Sequence, residues 1–312
     1  MKLHELVFLR NSLQNAINLS VINEELQKNA EFLQKLVRTP DIEIIDPEYS
    51  TSIKKIAYRH SEQIKNFDID IQEVQQIIDE INIDIQEISK KFFTDNYQTE
   101  VRWTEPDDIR KIRVLRIPEG VDLLLLNRIN LHSTWKYPAL EIGCRDGEWT
   151  KYLVASDPLY IADVHDDFLK STNRQFVPEY QIRLRKYFIE NNKIIGLPEN
   201  QLGFIFSYNF FNYLSLDSIR QYLNQAIKWL RPGGSMLFTY NNADLSASAG
   251  HAEGYFMTYV PKSLLVPLCE SVGFEVTITQ DFLPSTSWIE IKKPGELKTA
   301  KLHQVLGKIL YL

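Results

Sequence analysis

Cysteine is scarce in this chain, with only Cys144 and Cys269 among 312 residues. Two thiols cannot complete a four-ligand zinc cage by themselves, and their number fits a reducing compartment. Positive charge is short as well: 35 Lys and Arg against 41 Asp and Glu leave a net charge of −6. That balance opposes a chain-wide affinity for nucleic-acid phosphate. The one basic cluster, "RLRK" from Arg183 to Lys186, reads as the edge of a solvated strand. No apolar run approaches the roughly 18 residues of a membrane span. The opening "MKLHELVFLRNSLQ" has too short an apolar part for a signal peptide, and no small-residue cleavage site comes after it. These absences predict a cytoplasmic protein with no metal site and no membrane partner.

Glycine is missing from the first 100 residues, where the only prolines are Pro40 and Pro47; beyond them both recur as turn punctuation. The chain therefore divides into a helical region over 1–100, a helical connector over 101–137 and a third region over 138–312. Residues 1–37 read as one helix, and "TPDIEIIDPEYS" breaks it. A second helix is expected over about 50–97. Ile53, Ala57, His60, Ile64, Phe67, Ile71, Val74, Ile78, Ile81, Ile85, Ile88 and Phe92 alternate steps of four and three along it. This is a heptad seam, and β-branched residues at both seam positions favour three or four strands over two. Self-association through residues 50–97 as a trimer or tetramer is the expectation. An intrachain hairpin against Leu6, Leu9, Leu13, Leu19, Ile22, Leu26, Leu33 and Leu36 is the competing one. In the connector, "TEPDD" starts a short helix, and "GVDLLLLNRINL" is a helix expected to bury a wide apolar face.

From 138 onward, strands and helices alternate. "PALEIG", "LYIADV", "KYFIEN", "GFIFSYN" and "SMLFTYN" read as strands; "EWTKYLVA", "HDDFLKSTNRQF", "SLDSIRQYLNQAIKWL" and "PKSLLVPLCESVG" read as helices. "FEVTITQDF" and "SWIEIKK" close the series with no helix between them, so they should pair antiparallel. "KTAKLHQVLGKILYL" reads as a tail helix. Continuous apolar strands with intervening helices predict an α/β fold: a seven-stranded, mostly parallel, doubly wound sheet.

Ligands of such sheets bind beyond the carboxyl ends of the strands, at the switch in strand order. In "ALEIGCRDGEWT", Glu141 and Gly143 end the first strand and Gly147 sits at the start of the next helix. Glycine there permits a sharp turn and a close backbone approach. Asp163 ends the second strand, twenty residues after Gly143. An acid at that place takes ribose hydroxyls, or caps the next helix, a role Asp166 and Asp167 fill equally.

With these residues in place, "LEIGCRDG", "IADV", "LPENQLGFIFSYNFFNYL", "WLRPGGSMLF" and "ESVGFEV" occur in order, and residues 138–292 resemble the class I S-adenosylmethionine-dependent methyltransferases. The resemblance implies a Rossmann-like domain with S-adenosyl-L-methionine as cofactor. It implies that Glu141, Gly143 and Gly147 line the methionine part, with Cys144 and Arg145 of the same loop among the cofactor-binding residues. Asp163 binds the ribose, Val164 packs on the adenine, Asn191 or Asn192 reads the adenine amino group, and Ser207 and Tyr208 approach the sulfonium. His165 packs near the adenine. The sequence departs from the family at Arg145, where glycine is usual, and at Gly203 and Asn209, where aspartate is common. The Arg145 side chain either meets the cofactor carboxylate or blocks the loop.

Methyl transfer requires alignment of the acceptor and removal of its proton. No Pro–Cys nucleophile is present, and "SYNFFNYL" lacks the prolines of the amino-directed DNA enzymes. The remaining class is O- or N-methylation of a small-molecule or glycan-like acceptor. The loop "NNADLSASAGHAEGYF" supplies His251 as candidate base, with Glu253, Tyr255 and Asn212 behind it; a solvent-exposed loop histidine is the plain alternative for His251. A different function class also fits: a structural or adaptor protein of a larger assembly, whose methyltransferase-like domain is inactive or only binds cofactor.

Overall fold

The computed structural model describes residues 3–19, 47–64, 71–92, 121–254, 257–282 and 286–297. Residues 20–46, 65–70, 93–120, 255–256, 283–285 and 298–312 lie outside the described set. The expected helix beyond residue 19, Phe67 of the seam, the first connector helix, Tyr255 and the tail helix therefore lie outside it too.

The carboxy-terminal part holds one mixed sheet of eight strands. The strands are β1 (Ala139–Ile142), β2 (Leu159–Asp163), β3 (Leu184–Glu190), β4 (Lys193–Ile194), β5 (Leu202–Ser207), β6 (Leu230–Tyr240), β7 (Glu275–Phe282) and β8 (Thr286–Lys292). Their order is β4-β3-β2-β1-β5-β6-β8-β7. The sequence suggested seven strands. The eighth, β4, is a two-residue return that pairs antiparallel to β3 through Ile189 and Ile194. Too short to show a hydrophobic period, it is made by its turn. Asn191 and Asn192 both have positive φ, 50° and 58°, which is the backbone of a two-residue hairpin. The closing strands pair antiparallel, as the missing helix between them required.

Strands β1, β2 and β5 are buried along their whole length, the pattern of a sheet covered on both faces. On one face α7 (Leu216–Trp229) and α9 (Lys262–Val272) pack over Ile142, Ile205 and Phe238. Ser215 caps α7 by accepting the Ser218 amide at 3.1 Å. The other face is covered by α4 (Val121–His132), α5 (Asp166–Arg174), the short α6 (Pro178–Gln181) and a single 3₁₀ turn at Thr150–Tyr152. A longer helix was expected where that turn stands. Helix α4 buries only the stripe Val121, Leu125 and Ile129, while Leu123, Leu124 and Leu131 are exposed. The wide buried face expected of it is not found. Glu290 of β8 pins it instead, accepting Arg128 Nη2 at 2.7 Å and pairing with His132 Nε2 at 2.9 Å.

The amino-terminal region is α1 (Leu3–Leu19), α2 (Pro47–Ile64) and α3 (Ile71–Phe92). Two helices stand where one from 50 to 97 was expected. They pack against each other antiparallel: His60 Nε2 meets Asp84 Oδ2 at 2.6 Å, Gln63 Nε2 donates to Glu80 at 2.6 Å, and Arg59 pairs with Asp84. The seam residues Val74, Ile78, Ile81, Ile85 and Ile88 are buried with Ile53 of α2 and with Leu6, Leu9 and Leu13 of α1. This apolar cluster continues into Ala249 and Ala252 of α8 (Ser246–Glu253) and into Tyr259. The helices therefore cap the loop after β6. Among the described residues no helix is long and apolar enough to cross a membrane.

Candidate active site

The switch in strand order falls between β1 and β5, and the first loop opens there. Gly143 (φ 76°), Arg145 (φ 48°) and Gly147 (φ 81°) are all left-handed. The Gly147 amide donates to Cys144 O at 2.8 Å, so the chain reverses within a few residues. A Cβ on Gly143 would lie 2.5 Å from Phe210 Cδ2, so this position excludes any larger residue. Arg145 adopts the conformation that glycine would supply, at a cost of about 1–2 kcal/mol. Asp163 offsets that cost. Its Oδ2 accepts the Arg145 amide at 2.9 Å, and its Oδ1 accepts the His165 amide at 3.1 Å. Thr172 Oγ1 holds the far side of the loop by donating to Arg145 O at 2.8 Å.

Two carboxyls are buried beneath this loop, each 2% exposed. Burial pushes Glu141 up to about 8, against the bond from Thr150 Oγ1 at 2.5 Å and helped by the Asp163 charge. Burial also pushes Asp163 up, to about 6, against the amides of Arg145, His165 and Val164 and the Arg145 charge. At neutral pH Asp163 is mostly ionised and Glu141 holds its proton. A carboxylate has about four acceptor positions, so Asp163 keeps capacity for further donors. That acceptor set suits a ligand bearing hydroxyls and positive charge.

The other expected cofactor residues take definite places. Val164 is next to Asp163 and packs on the α7 side of the sheet. Asn191 is exposed and serves the β3–β4 turn. The Asn192 side chain donates to Ser218 Oγ at 3.1 Å, and its carbonyl accepts Gln225 Nε2 at 2.7 Å. Ser207 is buried and donates to Ile142 O at 2.7 Å, which ties the ends of β5 and β1 together. Tyr208 lies against Trp149, with ring centroids 5.0 Å apart. Burial and the nearby Glu148 charge raise its phenol well above the usual range. Cys144 is buried, and burial together with the Asp163 and Glu141 charges raises its thiol strongly. It is a packing residue and no nucleophile.

Of the candidate bases, Glu253 is occupied. It accepts the amides of Leu3 and His4 and pairs with His4 Nδ1, which fastens α1 onto α8. His251 lies on the same helix, half-buried, and burial lowers its pKa. The departures from the family have local causes. A Cβ on Gly203 would lie 2.6 Å from Tyr137 Cβ. Asn209 turns with φ 52° and donates its amide to Thr239 Oγ1 at 2.7 Å.

Sequence reasoning missed Thr150, Trp149, Phe210 and the buried set Thr239, Thr258, Asn241 and Ser248. Thr150 was readable: a hydroxyl nine residues after Glu141 at the start of a helical turn. The others reach the site only through tertiary contacts.

Residues 139–234 match the family model described as a methyltransferase domain. No curated protein is similar to the chain at a significant level. Three solved structures show its similarities. An S-adenosylmethionine-dependent methyltransferase from Mesorhizobium loti is 10% identical, with a TM-score of 0.47, covering 56% of this chain and 99% of its own. One from Aquifex aeolicus is 16% identical, with a TM-score of 0.46, covering 61% and 98%. Geranyl diphosphate C-methyltransferase from Streptomyces coelicolor is 8% identical, with a TM-score of 0.46, covering 55% and 79%. Over residues 139–234 the chain is thus similar to methyltransferase domains.

Proposed function

We propose that this chain is an enzyme that methylates an oxygen or nitrogen of a small-molecule or glycan-like acceptor. The observation that carries the reading is the pair of buried carboxyls, Glu141 and Asp163, under a left-handed loop at the strand-order switch. When bound, the cofactor supplies a methyl on a sulfonium; sulfur leaves as a neutral thioether as the acceptor atom takes the carbon and gives up its proton. Asp163 would hold the ribose, with Glu141 and the 143–147 loop on the methionine side. Tyr208 and Ser207 stand at the end of β5 beside them. His251, whose pKa burial lowers, would receive the acceptor proton.

Calorimetry with S-adenosylmethionine tests this. Asp163→Ala should weaken binding by about 1–3 kcal/mol, the cost of losing a buried hydrogen-bond partner. Absence of heat at millimolar cofactor with the unsubstituted chain would retire the enzyme. The adaptor reading would then stand, favoured by Phe210 pressed on Gly143 and by the two loop amides already on Asp163. The helices α1 to α3 act in this proposal as an intrachain cap on α8. Self-association through 50–97 is the competing use of the same seam, and sedimentation distinguishes the two.

A further inference from the structure

A chain of buried, uncharged polar groups leads away from the methyl-transfer loop. The Asn209 amide donates to Thr239 Oγ1 at 2.7 Å, and Thr239 Oγ1 donates to Asn212 Oδ1 at 2.9 Å. The Asn212 carbonyl accepts the Thr258 amide at 3.0 Å, and Thr258 Oγ1 donates to Leu214 O at 2.8 Å. The Thr258 carbonyl accepts Asn241 Nδ2 at 2.9 Å, and the same nitrogen donates to Ser248 O at 2.9 Å. Asn212, Thr258, Asn241 and Ser248 are each at most 2% exposed.

The polar chain ends unsatisfied. Asn241 Oδ1 and Ser248 Oγ are buried and have no hydrogen-bond partner among the described residues. The Asn241 amide cannot be turned over to repair this, because both of its neighbours are carbonyls and both need its NH₂ group. Buried polar atoms are nearly always paired, and an orphan calls for an explanation. Here the two orphans are complementary: one is an acceptor only, and the other can donate. A neutral hydroxyl carries both the donor that Asn241 Oδ1 lacks and the acceptor that Ser248 Oγ lacks. An ammonium does not, since it has no lone pair to take the serine proton, and none of the six polar residues linked in this way is a carboxylate.

We propose that Asn241 and Ser248 hold the hydroxyl of a neutral methyl acceptor, Asn241 Oδ1 accepting a hydrogen bond from it and Ser248 Oγ donating one to its oxygen; the proton passes to His251, the base proposed above, as the oxygen–methyl bond forms and the sulfur–methyl bond breaks. The proposal rests on the methyltransferase reading above and narrows it to O-methylation. Both atoms are sealed, so the acceptor enters only when α8 moves away from Asn241, whose Nδ2 it holds through Ser248 O. Helix α1 governs that step through Glu253 and through Arg10, which donates to Asp244 O at 2.7 Å.

The test uses the full chain and its Ser248→Ala variant. Removing an orphan hydroxyl leaves the unfolding midpoint unchanged or raises it by about 1–3 °C. A fall of about 2 °C or more would show that Ser248 is already satisfied inside the free protein and would overturn the proposal. In a second arm, crystals with S-adenosylhomocysteine are soaked with phenol, a small probe joining a neutral hydroxyl to an apolar body. Density placing the phenol oxygen on Asn241 Oδ1 and Ser248 Oγ, and lost in Ser248→Ala, is expected. A water bridging the two atoms, or no density there, overturns the assignment. A chain that binds no S-adenosylhomocysteine by calorimetry fails the methyltransferase reading instead; the soak into cofactor-free crystals then still decides the Asn241–Ser248 pair.

Discussion

Replacing Glu141 by glutamine should flatten the pH dependence of folding. The folded chain keeps the Glu141 proton up to about pH 8, whereas the unfolded chain releases it near 4.5. A raised folded pKa favours the fold at low pH, so this contribution is complete below pH 4.5 and is lost as pH climbs through 8. Integrating that linkage from pH 5 to pH 9 gives a loss of about 4 kcal/mol in the unsubstituted chain. Glutamine has the same shape, can still accept the Thr150 hydroxyl through its carbonyl, and does not ionise. Urea unfolding of both proteins at pH 5, 7 and 9 should therefore show the variant gaining on the parent by about 4 kcal/mol across the range. Asp163, raised to about 6, adds its own loss between about pH 4 and 6 in both proteins and cancels in the comparison. Parallel pH profiles would show that Glu141 is solvated or paired, and would rule out a buried neutral carboxyl beside Asp163.

Gly143→Ala combines a left-handed φ with a Cβ 2.5 Å from Phe210; denaturant unfolding should show a loss of about 2–5 kcal/mol, and a loss below about 1 would refute the packing. Burial alone would raise Glu290, but the bonds from His132 and Arg128 outweigh it and hold the carboxyl at about 2. Its stabilisation is present above pH 4.5 and lost as pH falls through 2, so acid unfolding of Glu290→Gln should lack about 2–3 kcal/mol of the parent's loss over that range. Ile81→Asp places a charge in the cluster of α1, α2 and α3. It should abolish part of the helical circular dichroism while the sedimentation coefficient reports a monomer before and after; a concentration-dependent oligomer in the parent would restore the intermolecular coil.

The carboxy-terminal fold was legible because its signals are local. "ESVGF" ends α9 as read, with Gly273 turning at φ 106°, whereas α7 ends at Trp229 and "LRPGG" already belongs to β6. The apolar runs of β1, β2 and β5 need no partner to be recognised. The seam of α3 was equally visible, but its partner was not. A heptad pattern states that a face must be covered, and β-branched residues serve a neighbouring helix of the same chain as well as a second copy. The reversal between α2 and α3, through His60, Asp84 and Arg59, is a tertiary decision.

In the site the same division holds. Sequence by itself placed Glu141 and Asp163 in their strands and Gly143 and Gly147 in the turn after the first, because turn geometry and strand ends are set within a few residues. It also marked Arg145 as the odd residue of the loop. Only the tertiary structure decided that Asp163 steadies that residue's backbone, that α1 closes on Glu253, and that Asn241 and Ser248 end a polar chain with two unsatisfied atoms. Hydrogen bonds between residues far apart in the chain leave no period in the sequence; they exist only once burial has brought the partners together and made an unpaired polar atom costly.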